Sequence, residues 1–178
     1  MVDITAGDAS PPPTAERLQK ARQEAEAGTP QLREEGFLVS IARNAPSKIL
    51  PKNASKYVVL VIEDDADLAQ LLIDIFMLAG YEVRWASNRA EINAALRRGH
   101  EVDVVLMDVV LPDADGVDVL RRLRAHPVLA AMPVIMITGK SAAEDVSAGL
   151  AAGADGYVSK PFKVSGLVKA VKVVLGVA

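Results

Sequence analysis

Val102-Asp103-Val104-Val105-Leu106-Met107-Asp108-Val109-Val110-Leu111-Pro112-Asp113-Ala114-Asp115-Gly116 decides how this chain is read. An apolar run rich in β-branched residues ends abruptly on a carboxylate, passes through a Pro turn and restarts at an Asp-Gly pair able to open a helix. Short apolar runs bounded by turn signals read as strands buried on both faces of a parallel sheet. Asp108 then stands at the carboxyl end of its strand, and in open α/β sheets that edge is where ligands bind.

From Lys56 onward, strand and helix patterns alternate five times. Residues 57–62 form a continuous apolar run, hence a central strand. After Glu63-Asp64-Asp65, the spacing of Leu68, Leu71, Leu72, Ile75 and Ala79 predicts a helix that Gly80 stops, with Asp65 as its start residue. Polar and apolar residues alternate over residues 81–85, as expected of an edge strand with one wet face. Asn88 and Glu91 fit a capping box for a second helix ending near Gly99. The third strand is the opening stretch. Its helix runs from about Asp115 to Ala125, with Val119, Leu120 and Leu123 inward and Pro127 as the stop. Residues 133–137 make the fourth strand, with Pro tolerated at the first position. Ser141 and Glu144 form another capping box, for a helix ending at Gly153. Residues 156–159 make the fifth strand, and a last helix carries Val164, Leu167, Val168, Val171 and Leu175 on one face. Five alternations imply an α/β fold: a five-stranded parallel sheet, doubly wound, with right-handed crossovers and helices on both faces. The commonest compatible strand order is 2-1-3-4-5, which places the first and third strands at the switch point.

Residues 1–55 differ in character and read as an N-terminal extension, leaving residues 56–178 as the folded domain. Ser10-Pro11-Pro12-Pro13 is a stiff spacer, after which Thr14 could cap a short helix over residues 15–27, ended by Gly28 and Pro30. Its apolar stripe is Leu18 and alanines, so little would hold it to a core, and the extension reads as largely flexible. Phe37-Leu38-Val39-Ser40-Ile41 is the exception, a compact apolar patch suited to covering an exposed edge or binding a partner.

Bulk composition narrows the function classes. The chain has 178 residues, 51% hydrophobic and 24% charged, enough for one ordinary core but not for a second full domain. A net charge of -3 and the lack of a Lys/Arg block disfavour direct nucleic-acid binding. The absence of cysteine removes disulfides, thiolate metal sites and Cys nucleophiles together. No basic-then-apolar leader is present, and no apolar run approaches the ~20 residues of a membrane span. A soluble cytoplasmic protein is expected.

The carboxyl ends of the four inner strands converge on one crevice in this fold. They present Glu63 and Asp64, then Asp108, then Thr138, then Lys160. Crowded carboxylates repel and bind protons unless a cation intervenes, and a hard divalent ion such as Mg²⁺ is the natural partner for oxygen ligands. Lys160 offers a compact positive charge to a phosphate oxygen and Thr138 a hydroxyl donor. A carboxylate nucleophile, a metal and two phosphate-directed donors describe phosphoryl transfer onto Asp108. No general base is needed, which accounts for His100 and His126 lying away from the expected site. Singly these residues are ordinary: a strand-end Asp is usually a cap, a surface Lys merely solvated, and a Thr a turn residue. Their conjunction at four strand ends is the specific signal.

With these residues in place, residues 57–178 resemble a response-regulator receiver domain of bacterial two-component signalling. The resemblance rests on Glu63-Asp64, the Asp108 to Gly116 segment, Thr138-Gly139, and Gly153-Ala154-Asp155-Gly156-Tyr157-Val158-Ser159-Lys160-Pro161-Phe162. It implies a flavodoxin-like fold, Asp108 as phosphoacceptor, and Mg²⁺ held by Asp64, Asp108 and the Val110 backbone carbonyl, with Glu63 acting through water. It also implies Thr138 as switch hydroxyl, Lys160 as the phosphate-pairing lysine, Tyr157 as switch aromatic and a cis Lys160-Pro161 peptide. The expected phosphodonor is a sensor histidine kinase or histidine phosphotransfer protein. The output goes to a separate effector through the fourth helix, fifth strand and fifth helix, which Thr138 and Tyr157 border. The alanine-rich fourth helix, with Ala143, Val146, Ala148 and Leu150, suits close approach by a partner or, on phosphorylation, a second copy.

With no effector segment after Ala178, a stand-alone regulator that is not itself an enzyme is expected. A phosphorelay intermediate passing phosphate onward is the alternative. An aspartyl-phosphate phosphatase of the haloacid-dehalogenase type needs a second acid two residues beyond the nucleophile, where Val110 stands. A dinucleotide-binding enzyme is disfavoured because Glu63-Asp64-Asp65 replaces the glycine-rich turn after the first strand.

Overall fold

A computed structural model describes residues 39–41, 48–52, 55–97, 101–139 and 143–177. The helix expected over residues 15–27, His100, the second helix's end near Gly99, Lys140 to Ala142 and the Ser141–Glu144 cap lie outside what is described. In chain order the elements are β1 (Val39–Ile41), β2 (Val58–Ile62), α1 (Ala66–Leu78), β3 (Glu82–Ala86), α2 (Arg89–Arg97) and β4 (Val104–Met107). Then follow α3 (Gly116–Ala125), β5 (Val134–Thr138), α4 (Ala143–Ala151), β6 (Gly156–Ser159) and α5 (Val164–Leu175).

The sheet order is β1-β6-β5-β4-β2-β3. Its five parallel strands stand in the expected 2-1-3-4-5 order, and a sixth, β1, absent from the five-strand count but in keeping with the edge-covering reading of that apolar patch, pairs antiparallel with β6. Strand side chains alternate between two cores, as the period of two requires. On one face Leu60, Ile62, Val105, Met107, Val134, Met136 and Tyr157 meet Ile92 and Leu96 of α2, Val119, Leu120 and Leu123 of α3, and Val146 and Leu150 of α4. On the other, Val59, Val61, Val104, Leu106, Ile135, Ile137 and Val158 meet Leu72, Ile75 and Phe76 of α1 and Leu167, Val171 and Leu175 of α5. Every residue of β2, β4, β5 and β6 is buried, which is why those runs are apolar apart from Thr138 and Ser159 at the carboxyl ends of β5 and β6.

Helix capping follows the sequence with one shift. The Asp65 carboxylate accepts from the Leu68 N–H at 3.0 Å and starts α1 as expected. At α2 the Asn88 side-chain Oδ1 accepts from Glu91 N–H at 3.1 Å, and the Glu91 carboxylate reaches the N–H and hydroxyl of Ser87, one residue earlier than the expected cap. Two buried faces hold their expected centres, Leu72 and Ile75 in α1 and Leu167, Val171 and Leu175 in α5, but differ at the margins. In α1, Leu71 is 50% exposed while Ala69 and Phe76 turn inward. In α5, Val164 is exposed and Ala170 and Val174 are buried.

Part of the extension attaches to the domain. The buried Asp103 carboxylate accepts from Lys52 N–H at 3.0 Å and Val58 N–H at 2.8 Å. Lys52 Nζ donates to the Val102 carbonyl at 2.7 Å, Ile49 N–H donates to Leu175 O at 2.9 Å, and the Tyr57 hydroxyl donates to Ile49 O at 2.6 Å. Residues 48–52 are therefore bound to the amino end of the sheet.

The turn after β4 is unusually tight. Gly116 N–H donates to Val109 O at 2.8 Å, and a Cβ at Gly116 would stand 2.3 Å from the Asp108 carbonyl oxygen and 2.9 Å from the Val109 Cα. Both are backbone atoms, so no rotamer change relieves the clash. Gly116→Ala should destabilise the fold by roughly 1–3 kcal/mol in urea unfolding, whereas Gly139→Ala, with nothing within 4 Å of its Cβ, should change stability far less.

Candidate functional site

Glu63, Asp108 and Lys160 are each the next rung of the ladder past a strand end. Glu63 N–H donates to Ala86 O at 3.1 Å, Asp108 N–H to Ile62 O at 3.0 Å, and Lys160 N–H to Thr138 O at 2.8 Å. Backbone pairing thus continues one step beyond β2, β4 and β6, so the side chains leave from anchored positions.

Those side chains meet. Lys160 Nζ donates to Asp108 Oδ2 at 2.6 Å and to Glu63 Oε2 at 2.9 Å. Carboxylate oxygens of Glu63, Asp64 and Asp108 lie within 4.8 Å of one another, Glu63 and Asp108 buried and Asp64 exposed. Three oxygen donors at that spacing, one facing solvent, are the donor set a hard divalent cation takes. Val110 N–H donates to Asp108 Oδ1 at 3.0 Å, so both oxygens of Asp108 are oriented. Glu63 is fixed as well: its Oε1 accepts from Asp65 N–H at 3.2 Å, and its carbonyl accepts from the Trp85 indole N–H at 2.8 Å.

Burial raises the Glu63 carboxyl above the usual carboxylate range, against the pull of Lys160 and the Asp65 amide, with the Asp108 charge adding to the rise. Burial alone would lower Lys160. Its hydrogen bonds to Asp108 and Glu63, and their charges, outweigh that and hold the ammonium above the ordinary lysine value. Lys160 is therefore a firmly charged group, poised toward anions.

A family model described as the response regulator receiver domain matches residues 59–172. The chain belongs to this family. It is 38% identical over 117 residues to the transcriptional regulatory protein GltR of Pseudomonas aeruginosa, covering 66% of this chain and 48% of that one. It is 39% identical over 117 residues to the probable transcriptional regulatory protein TcrX of Mycobacterium tuberculosis, covering 66% of this chain and 49% of that one. The chain thus spans about half the length of the curated relatives it matches. Among solved structures, the chemotaxis protein CheY4 of Vibrio cholerae superimposes with a TM-score of 0.63 at 29% identity, covering 67% of this chain and 99% of that one. A CheY-like receiver domain of Methanospirillum hungatei JF-1 gives 0.61 at 31% identity, covering 68% and 95%.

Within this receiver domain, Thr138 is buried at the end of β5, level with Ser159 and next to Lys160. Tyr157 lies fully inside the core, its ring packed so closely on α4 that a Cβ at Gly149 would stand 3.1 Å from it. Burial, with the charges of Asp145 and Asp108, pushes its phenol far above the usual range. The Val110 side chain is 56% exposed beside Asp108. Lys160-Pro161 is cis, as expected. On α4, Val146 and Leu150 point into the core. His126 is a loop cap whose Nδ1 accepts from Val128 and Leu129 N–H groups. Among the described residues, no helix is long and apolar enough to cross a membrane.

Two supports of the receiver site were not read from the sequence. Arg89, the first residue of α2, donates through its side chain to the Asp113 carbonyl, while its backbone N–H, 3.0 Å from Asp113 Oδ1, is capped by the Asp113 carboxylate. Together with a bridge between Val110 and Asp115, this pins the loop that follows Asp108. The other is Trp85, whose indole holds the Glu63 carbonyl. An Arg or a Trp in isolation carries no signal for either role, because the partner is 22 or 24 residues away.

Lys160 keeps its proton more tightly in the folded chain than at the ordinary value of 10.5, so its contribution to stability is whole below that pH and lost as pH rises through the higher folded value. In urea unfolding across a pH series, wild-type stability minus that of Lys160→Met should therefore fall as pH passes above 10.5. A difference that stays level with pH would contradict the ion-pair geometry.

Proposed function

We propose that this chain is a phosphorylation-dependent signalling switch that accepts a phosphoryl group on Asp108 from a histidine kinase or histidine phosphotransfer protein. The observation that carries the reading is the Lys160 ammonium bridging Asp108 and Glu63 at 2.6 and 2.9 Å, with Asp64 within reach of both. Membership of the receiver family supports it.

An Asp108 carboxylate oxygen attacks the phosphorus of a phosphohistidine. The P–N bond breaks, its electron pair stays on the imidazole nitrogen, and the phosphoryl group is left as an acyl phosphate on Asp108. Lys160 Nζ, already held above Asp108 Oδ2, pairs with one phosphoryl oxygen, and the Thr138 hydroxyl donates to another. Asp64, Asp108 and the Val110 carbonyl, with Glu63 through a water, would hold Mg²⁺. When bound, the ion neutralises the carboxylates and the incoming phosphoryl oxygens. The chemistry ends on the chain's own aspartate, so no separate substrate is turned over.

The phosphoryl group binds one of two pre-existing arrangements better and shifts the population toward it. Thr138 moves to the phosphoryl oxygen beside the Tyr157 ring, which is already buried against α4, altering the surface formed by α4, β6 and α5 for a separate effector. Cytoplasmic residence fits a phosphodonor of this kind.

Incubation of the protein with acetyl phosphate and Mg²⁺ should add one phosphoryl mass, mapped by borohydride trapping to Asp108, and Asp108→Asn should add none. An unmodified wild type under those conditions would sink the reading. Val110 offers no amide or acid to orient a hydrolytic water, so the phosphoryl group should be long-lived. Val110→Asn should shorten its lifetime several-fold, as followed by intact mass after the donor is removed.

A further inference from the structure

The apolar patch that ends in Val39–Ile41 is the sequence feature that phosphoryl transfer does not use, and those last three residues lie as β1 along the outer edge of β6. Its ladder pairs Val39 with Val158, Ser40 with Tyr157 and Ile41 with Gly156. On its inner side β6 pairs with β5, Gly156 with Ile135, Tyr157 with Met136 and Val158 with Ile137. The same three residues are thus held from both sides.

Two residues beyond that ladder, β6 delivers Lys160, whose N–H is on Thr138 O and whose Nζ bridges Asp108 and Glu63. Tyr157, paired to Ser40 through the backbone, has no slack on its other side because its ring is in close contact with α4 at Gly149. A shift of β6 that follows Lys160 must therefore be shared with the β1 ladder. Because the pairing is antiparallel, the chain leaves β1 at the Gly156 end of the sheet, where residues 48–52 are bound through Leu175, Val102 and Asp103. The hydrogen bonds that hold residues 48–52 go to Leu175, Val102 and Asp103 and not to the β6 backbone, so β1 can leave and return while tethered. A three-residue ladder at a sheet edge belongs to the low-stability end of local opening.

We infer that the outer edge of β6 is a docking surface for this chain's own Val39–Ile41 strand, and that the docked strand braces the arrangement in which Lys160 bridges Asp108 and Glu63. This rests on the phosphoryl-transfer reading. A phosphoryl group on Asp108 draws Lys160 to its own oxygens, the brace no longer fits, and β1 is released. By linkage, release of β1 favours the phosphoryl-bound state to the same extent.

The test uses the full chain and beryllofluoride with Mg²⁺ as a reversible phosphoryl analogue. Amide exchange at residues 39–41 should speed up when the analogue is bound, by a factor within the roughly 5–150-fold range of ordinary coupling between sites. In the full chain carrying Ser40→Pro and Ile41→Pro, which cannot form the ladder, beryllofluoride should bind more tightly by a similar factor. Unchanged or slower exchange at residues 39–41 with Asp108 occupied would overturn the brace, as would equal affinity in the double variant. If acetyl phosphate adds no mass at Asp108, the phosphoryl reading itself falls and takes the brace with it, an outcome that intact mass reports separately from exchange.

Discussion

A single ammonium group placed among carboxylates is the constraint on which the arrangement depends. Glu63 and Asp108 are both buried, and two acids at such a spacing in a poorly hydrated crevice would repel or take up protons. Lys160 offsets that, reaching 97 residues back to Glu63 and 52 back to Asp108. The three residues leave from three different strands, so the contact exists only because the crossovers bring β2, β4 and β6 into one sheet with their carboxyl ends level. A buried ion pair adds little net stability, since desolvation consumes most of the attraction. What it provides is a fixed positive charge aimed at an ionisable oxygen.

The rest of the fold serves to keep that charge where it is. Backbone ladder bonds extend one residue past the strands at Glu63, Asp108 and Lys160, which removes the freedom a loop residue would otherwise have. The segment after Asp108 is held three ways: by Gly116 against the Asp108 carbonyl, by the Val110–Asp115 bridge and by Arg89 on Asp113. Two close-packed apolar cores, one on each face, leave the sheet little room to flex except along its edges.

One of those edges is not bare. An exposed strand with unpaired backbone groups invites pairing with another chain, and folds commonly cover it. Here the cover comes from outside the receiver repeat, on the strand that carries both Tyr157 and, two residues past the ladder, Lys160. The extension is therefore a neighbour of the strand leading to Lys160 although about 120 positions separate the two in the chain, a proximity made by the antiparallel pairing of β1 with β6.

Element types, their order and the acidic and basic residues at the strand ends were legible in the sequence, because continuous apolar runs, helical spacing and Gly or Pro stops are local signals. Asp108, Glu63, Asp64 and Lys160 could be nominated together for the same reason: each directly follows such a run. The helical period places Leu72 and Ile75 of α1 and Leu167, Val171 and Leu175 of α5 inward, as found, whereas the exposure of Leu71 and Val164 and the burial of Phe76 and Val174 at the margins of those rows depend on the sheet's shape. The Trp85 and Arg89 contacts, the Gly116 approach and the attachment of residues 48–52 through Asp103 join positions far apart in the chain. Periodicity fixes which face of a strand a side chain occupies. Which other strand lies beside it, at what register, and whether a sixth strand closes the edge depend on packing the whole sheet at once, and that was settled only in three dimensions.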